Sequence, residues 1–118
     1  MKTEILAEDY QAYYFREKNC ITLQGNLRLG TVEKYDEIIA FILHHVLATD
    51  TVISLDLTRL TTLNSSGIAA LGMFIIKMKE HDKNIKIIAS KYISWQTISL
   101  ESFKDIHPKI EIEFMVHH

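Results

Sequence analysis

Short segments with strand-like composition alternate along this chain with longer segments whose apolar residues recur at helical spacing. The first two strand-like segments, residues 10–15 and 20–25, are rich in aromatic and β-branched residues and are separated by the polar sequence REKN. This pattern predicts a β-hairpin with a four-residue turn. The other predicted strands are residues 51–57, 84–90 and 109–114, and the predicted helices are residues 31–50, 66–79 and 94–106.

The resulting order, β-β-α-β-α-β-α-β, constrains the fold class. Strands that alternate with helices pair in parallel through right-handed crossovers, whereas a hairpin adds an antiparallel pair. We therefore predict an α/β fold with a mixed β-sheet of four to five strands, an N-terminal antiparallel hairpin and three helices mainly on one face. The mostly apolar segment 51–57 predicts a central strand that is buried on both faces.

Length, charge and hydropathy limit the class of protein. The 118 residues fit one domain, residues 1–118 with a core of about 10–114. The formal net charge of −2 argues against a nucleic-acid partner. The longest apolar run, residues 68–76, is shorter than the roughly 20 residues that cross a bilayer, and no secretory signal precedes the first strand. We therefore expect a cytoplasmic protein without a membrane partner.

The sequence contains no pattern that indicates an enzyme, a cofactor or a metal site. Cys20 lies in a predicted strand and is interpreted as a small core residue. His44 and His45 are adjacent and lack the i, i+4 spacing of two metal ligands on one helix. His117 and His118 end the chain. Because no nucleophile–base pair or cofactor fingerprint is present, we predict a protein that is not an enzyme and holds neither cofactor nor metal.

The sequence TTLNSSGIAAL places Asn64, Ser65, Ser66 and Gly67 directly before an apolar helix. Asn and Ser side chains accept hydrogen bonds from the unpaired N–H groups of a helix start, so a helix cap accounts for this composition. The same N–H groups and the helix dipole also favour an anion, so a phosphorylated serine is the alternative to a plain helix cap, which is the interpretation that these residues alone favour. Both interpretations stay open from these residues alone.

The longer sequence ISLDLTRLTTLNSSGIAAL resembles the STAS domain, as found in anti-sigma factor antagonists. The family's strand end, Asp-Leu-Ser/Thr, is matched at residues 56–58, and its helix start, Asp-Ser-Ser/Thr-Gly, at residues 64–67 with Asn64 in place of the aspartate. The sequence ITLQGNL resembles the family's early strand ending in Gly-Glu-Leu, with Gly25 and Leu27 matching. In detail the chain looks most like small, single-domain, cyanobacterial-type STAS-like regulators.

The resemblance implies the STAS fold and a bacterial regulatory module in signal transduction and transcription. Such antagonists bind a partner that is both a serine kinase and an anti-sigma factor. The kinase phosphorylates the serine before Ser/Thr-Gly, and a cognate phosphatase reverses the reaction, so the implied phosphorylation site is Ser65. The implied partner-binding residues in and around this switch loop are Asp56, Thr58, Asn64, Ser66, Gly67 and Ile68.

Two departures from the family pattern and one composition feature keep alternatives open. Asn64 favours a constitutive STAS scaffold without a phosphate switch, and Arg28 stands where antagonists often carry an acidic residue. A further alternative is a domain that senses a nucleotide or another small molecule at the loop before the second helix. That helix is apolar almost all round, which indicates contact with a partner or a second subunit, or burial within the fold.

Overall fold

Six strands form one sheet in the order in which they occur along the chain. The computed structural model of the protein describes residues 2–116. The strands are β1 (Glu4–Leu6), β2 (Tyr10–Phe15), β3 (Cys20–Leu27), β4 (Ile53–Leu63), β5 (Ile85–Ser90) and β6 (Glu111–Met115). The α-helices are α1 (Asp36–Leu47), α2 (Ser65–Glu80), α3 (Ser94–Ser99) and α4 (Phe103–Ile106), and short 3-10 helices cover Arg16–Lys18, Val32–Tyr35 and Leu100–Ser102.

The sheet is mixed, as the order of elements predicts. β1, β2 and β3 pair antiparallel, and β3, β4, β5 and β6 pair in parallel. The predicted hairpin is confirmed, because Phe15 pairs with Cys20 and Tyr10 with Gly25. The sheet has one strand more than the four to five expected. The additional strand, β1, precedes the predicted core of about 10–114, and its central residue Ile5 is buried in the hydrophobic core.

Among residues 2–116, the helices cover one face of the sheet and leave the other face without such a cover. Along β4, Ile53, Leu55 and Leu57 are buried, whereas Ser54 and Asp56 between them are half-buried. The expectation that this central strand is buried on both faces is therefore wrong. Its run of apolar residues alternates with small or polar ones, and only the apolar ones point toward the helices.

β4 is also longer than the sequence predicts, because it continues to Leu63, six residues beyond the predicted end of the strand at residue 57. Its pairing with β3 shifts twice, between Thr22 and Gln24 and again between Gly25 and Asn26. Each shift places one extra β4 residue in the ladder, which is the signature of a β-bulge. The buried residues Leu57, Leu60 and Leu63 consequently recur every third position, a spacing that does not resemble a strand.

The third helical segment, predicted as one helix over residues 94–106, is divided. α3 and α4 are separated by the 3-10 helix Leu100–Ser102, which changes the rotational phase of the segment. A single helix would place Ile98 on the same apolar face as Trp95 and Ile106. Instead Ile98 is 77% exposed, whereas Gln96 and Leu100 are fully buried. Within residues 2–116, none of the helices combines the length and the hydropathy needed to cross a membrane.

Candidate functional site

Asn64 caps the N-terminus of α2. Its backbone is extended (φ −79°, ψ 176°), and its side-chain Oδ1 accepts a hydrogen bond of 3.0 Å from the backbone N–H of Gly67. The carbonyl of Asn64 accepts from the N–H of Ile68, also at 3.0 Å. Capping by Asn64 leaves Ser65 and Ser66 without that role. Within the described residues, neither serine hydroxyl forms a hydrogen bond.

The Asn64 amide also ties the helix start to the segment after β3. The hydroxyl of Tyr35 donates to Asn64 Oδ1 at 2.6 Å and accepts from the backbone N–H of Leu29 at 3.2 Å. The Asn64 amide nitrogen donates to the carbonyl of Leu29 at 2.9 Å. Burial raises the pKa of Tyr35, which keeps its hydroxyl protonated as the donor. Tyr35 is a site residue that sequence reasoning missed, since it falls within the predicted helix of residues 31–50 and was assigned no role of its own.

This geometry predicts the effect of restoring the family's aspartate. In Asn64→Asp, a carboxylate oxygen would replace the amide nitrogen and face the carbonyl oxygen of Leu29, which loses its donor. Leaving such a group unpaired costs about 1–3 kcal/mol, whereas a negative charge at a helix start gains about 0.3–1 kcal/mol. We expect the free energy of unfolding to fall by about 1–2 kcal/mol in urea titrations.

Asn84→Asp is the matched control for that substitution. Its Oδ1 accepts from the N–H of Ile85 at 2.9 Å, and this oxygen is present in both side chains. We expect a change within about 0.5 kcal/mol. An equal loss in the two variants would contradict the role of the Leu29 carbonyl.

Gly67 is required where α2 meets the end of β4. A Cβ atom on Gly67 would overlap the buried side chain of Leu63 and lie 2.8 Å from the Tyr35 hydroxyl oxygen. The absent Cβ lets the first turn of α2 pack against this network. The predicted phosphorylation site, Ser65, is exposed at the first helical position, and Ser66 is half-buried.

An apolar surface runs along α2 from Ser65. Spacings of three and four residues place one set of side chains on the same side of the helix as Ser65. We call this set the α2 stripe, and it comprises Ile68, Ala69, Gly72, Met73 and Ile76. Met73 is 53% exposed and Ile76 is 44% exposed, while Ile68 and Gly72 are half-buried. The opposite side of α2 is buried, so the helix both faces the core and leaves an apolar surface uncovered.

Asp56 and Thr58 do not lie beside this junction. Asp56 Oδ1 accepts from the Thr58 N–H at 2.9 Å and from its hydroxyl at 2.7 Å, which orders the first bulge of β4. Asp56 pairs with Thr22 and Leu63 with Leu27, positions five residues apart on β3 and therefore roughly 17 Å apart at the usual rise. Asn64, Ser65, Ser66, Gly67 and Ile68 are thus brought together, and Asp56 and Thr58 lie apart from them. The functional role of both groups stays a prediction.

The remaining titratable candidates form no metal or thiol centre in the described part of the chain. No group of three or more His, Cys, Asp or Glu residues is arranged there to hold a metal ion. His45 is buried, and its Nε2 lies 2.7 Å from the carbonyl oxygen of Lys2. Burial raises the pKa of the half-buried Cys20, which disfavours the nucleophilic thiolate. His117 and His118 lie outside the described residues.

Solved structures share this fold over nearly the whole chain. The crystal structure of the diguanylate cyclase SiaD with its activator SiaC, from Pseudomonas aeruginosa, contains a chain that matches with a TM-score of 0.67 and 15% identity, over 97% of this chain and 100% of that one. The fold is that of SiaC. Apo-SiaC matches with a TM-score of 0.64 and 14% identity, over 92% of this chain and 91% of its own length.

A third structure of SiaC matches with a TM-score of 0.62 and 14% identity, over 97% of this chain and 95% of that one. No protein-family model and no curated protein matches the sequence. At identities of 14–15% the likeness to SiaC concerns the fold alone. The assignment to the STAS family therefore stays a prediction, carried by the residues that resemble that family.

Proposed function

We propose that this protein is a regulatory module, not an enzyme, which binds a partner protein through the start of α2 and the α2 stripe and is switched by phosphorylation of Ser65. One observation carries the proposal. An exposed serine hydroxyl without a hydrogen-bond partner among the described residues stands at a helix N-terminus, at the head of an uncovered apolar surface. The proposed phosphorylation site and an apolar binding surface are therefore adjacent on α2.

The switch follows from local electrostatics. A phosphate on Ser65 would add about −1.5 to −2 charges at the positive end of the α2 dipole, where the fold tolerates them. In the complex, the same charge would be forced against a partner surface that covers Met73 and Ile76. Burying the exposed part of each side chain contributes about 1 kcal/mol to binding, a gain that a desolvated phosphate reverses. Phosphorylation therefore releases the partner and leaves the fold intact.

Two observations support the proposed partner class. The resemblance to anti-sigma factor antagonists points to a serine kinase that also acts as an anti-sigma factor, with a cognate phosphatase that restores binding. SiaC, which has the same fold, occurs in a complex with the enzyme that it activates. The fold is thus compatible with the regulation of another protein by direct contact. A second copy of the chain on the α2 stripe, giving a homodimer, is the competing occupant.

Asn64 does not weigh against the switch once its contacts are known. Its amide nitrogen pairs with the Leu29 carbonyl, a contact that an aspartate could not make. The replacement of the family's aspartate is therefore explained by packing against this chain's own segment after β3. It gives no separate support to a constitutive scaffold, which remains as the outcome expected if Ser65 is never modified.

Photocrosslinking tests the surface. A photoreactive residue at Met73, introduced in the source cells, is expected to trap the partner, and the same residue at the exposed Lys104 on α4 is not. Trapping of a second copy of this chain at Met73 would show that the stripe is a homodimer interface and would contradict the proposed partner. Equal trapping at both positions would contradict a specific surface.

With the trapped partner purified, Ser65→Asp is expected to weaken its binding at least about tenfold, which corresponds to about 1.4 kcal/mol. The added carboxylate approximates part of the phosphate charge at the centre of the proposed interface. Binding is measured by titration calorimetry, and circular dichroism checks that the fold is unchanged. Ser94→Asp, which adds the same charge at the start of α3, is the matched control and is expected to bind normally. Equal affinity of the wild type and Ser65→Asp for the partner would contradict a phosphorylation switch at Ser65.

A further inference from the structure

A cleft opens on the uncovered face of the sheet where β4 separates from β5. The two strands pair only from Ile53 to Asp56 on β4, after which β4 follows β3 alone. On the helix side, the gap is closed by the fully buried Gln96. Its amide nitrogen donates to the carbonyls of Leu57 and Leu60, at 2.6 and 3.1 Å. On the open side a cavity of 620 Å³ remains, within the usual size of small-molecule sites.

Two opposite charges line this cleft without neutralising each other. Asp56 uses Oδ1 to order the bulge, and Oδ2 makes no hydrogen bond within the described residues. Arg59 is exposed, and no acidic oxygen of residues 2–116 lies within 4.0 Å of its guanidinium. The other carboxylate of the cleft, Glu113, is paired with Lys86 at 2.9 Å. One free carboxylate oxygen and one free guanidinium are therefore presented to the same cavity.

The bulge places these two charged residues on the same face of the sheet. Asp56 pairs with Thr22 and Arg59 with Gln24, so the two side chains occupy successive positions on the same face of the sheet. The Cα atoms of such positions are about 7 Å apart along a strand, and both side chains extend from the same face into the cleft. A ligand that carries an ammonium group and a carboxylate group on the same carbon can bridge two such side chains, with one charge-assisted hydrogen bond of about 2.8 Å at each end. A simple anion or a simple amine would satisfy only one of the two side chains.

Half-buried Ile88 and Met115 supply an apolar wall of the same cleft. We propose that this cleft binds a free α-amino acid with an apolar side chain, its ammonium group on Asp56, its carboxylate on Arg59 and its side chain against Ile88 and Met115. The site lies on the sheet face opposite the helices, so it is independent of the surface formed by Ser65 and the α2 stripe. It also gives Asp56 and Thr58 a function that does not require contact with that surface.

Titration of the whole protein by two-dimensional NMR tests the proposal. The standard amino acids are added singly to about 10 mM, the weak end of specific binding, beside acetate, propylamine and a dipeptide as probes with one charge or a wider charge separation. We expect at least one apolar amino acid to shift the amide signals of Arg59 and Ile88, and the three other probes not to do so. Binding of acetate or the dipeptide in preference to every amino acid would overturn the assignment, as would no binding by any amino acid.

Variants decide whether the two charges are responsible. Arg59→Gln and Asp56→Asn should each weaken binding of the amino acid at least tenfold, and Asp56→Asn keeps the Oδ1 acceptor that orders Thr58. Arg28→Gln, which removes an exposed arginine outside the cleft, should bind as the wild type does. Unchanged affinity in both cleft variants, with their spectra showing an intact fold, would overturn the proposal. Ser65→Asp should have no effect on this binding, so failure of one proposal does not imply failure of the other.

Discussion

Replacing Gln96 with leucine is expected to lower the free energy of unfolding by about 3–5 kcal/mol. The Gln96 side chain joins the parting strands β4 and β5. Its Oε1 accepts from the N–H of Ser90 at 2.8 Å, and its amide nitrogen donates to the carbonyls of Leu57 and Leu60. Leucine has a similar volume, so the loss would come almost entirely from buried backbone groups left without partners. The Leu60 carbonyl alone retains a donor, the indole N–H of Trp95 at 3.0 Å.

Urea unfolding measures this loss, with Gln24→Leu as the matched control. Gln24 is half-buried on the open face of the sheet, where its amide nitrogen donates to the side chain of Gln11 at 3.1 Å. Water can replace that bond, so we expect a change within about 1 kcal/mol. A loss below about 1 kcal/mol for Gln96→Leu would contradict the account of how the strands are joined.

Replacing Gly25 with alanine is expected to destabilise the fold by about 3–4 kcal/mol. Gly25 has a φ of +97°, which a residue with a Cβ atom rarely adopts. An added Cβ would also lie 2.9 Å from the Cα of Tyr10 and closer still to the carbonyl oxygen of Asp9. These are backbone atoms of the paired segment, so relief requires β2 and β3 to move apart.

Gly30→Ala provides the comparison for Gly25→Ala, again by urea unfolding. A Cβ atom on the exposed Gly30 would have only the Lys34 amine nearby, at 3.8 Å. We expect its stability to stay within about 0.5 kcal/mol of the wild type. Similar behaviour of the two alanine variants would mean that the close approach at Gly25 is not a constraint on the hairpin.

The regular parts of the fold follow from the sequence, and the irregular parts do not. The hairpin was predictable because β-branched and aromatic residues dominate both arms around a polar turn. β1 was missed because a strand of three residues is too short to show an alternation of buried and exposed side chains. The second half of β4 was missed because its bulges space Leu57, Leu60 and Leu63 every third residue, so the alternation that identifies a strand is lost. The division of the third helical segment likewise moved the buried positions from Ile98 to Gln96.

For the site, the sequence identifies the residues at the start of α2 but not their connections. Asn64 was a candidate cap by residue type, and the structure shows which of the candidates fills that role. Its contacts with Tyr35 and Leu29 each connect parts of the chain that are at least 29 positions apart in sequence. No local sequence pattern predicts such contacts. The distance between Asp56 and Ser65 could not be predicted, because the sequence did not reveal that β4 extends through most of the segment between them.

The central claim is that Ser65 is phosphorylated, and the intact mass of the protein purified from its source cells tests it most directly. We expect the wild type to carry the mass of one phosphoryl group under at least one growth condition, and Ser65→Ala to carry none. Ser66→Ala serves as the neighbouring control and should retain the modification. The half-buried Ser66 hydroxyl is less accessible to a kinase than the exposed Ser65.

An unmodified wild-type protein under every growth condition would contradict the switch and leave a constitutive binding module on the same fold. A phosphoryl group that persists in Ser65→Ala would contradict the assignment of the site. The structure of the α2 N-terminus predicts a different result. The wild type and Ser66→Ala should carry the phosphoryl group, and Ser65→Ala should lack it.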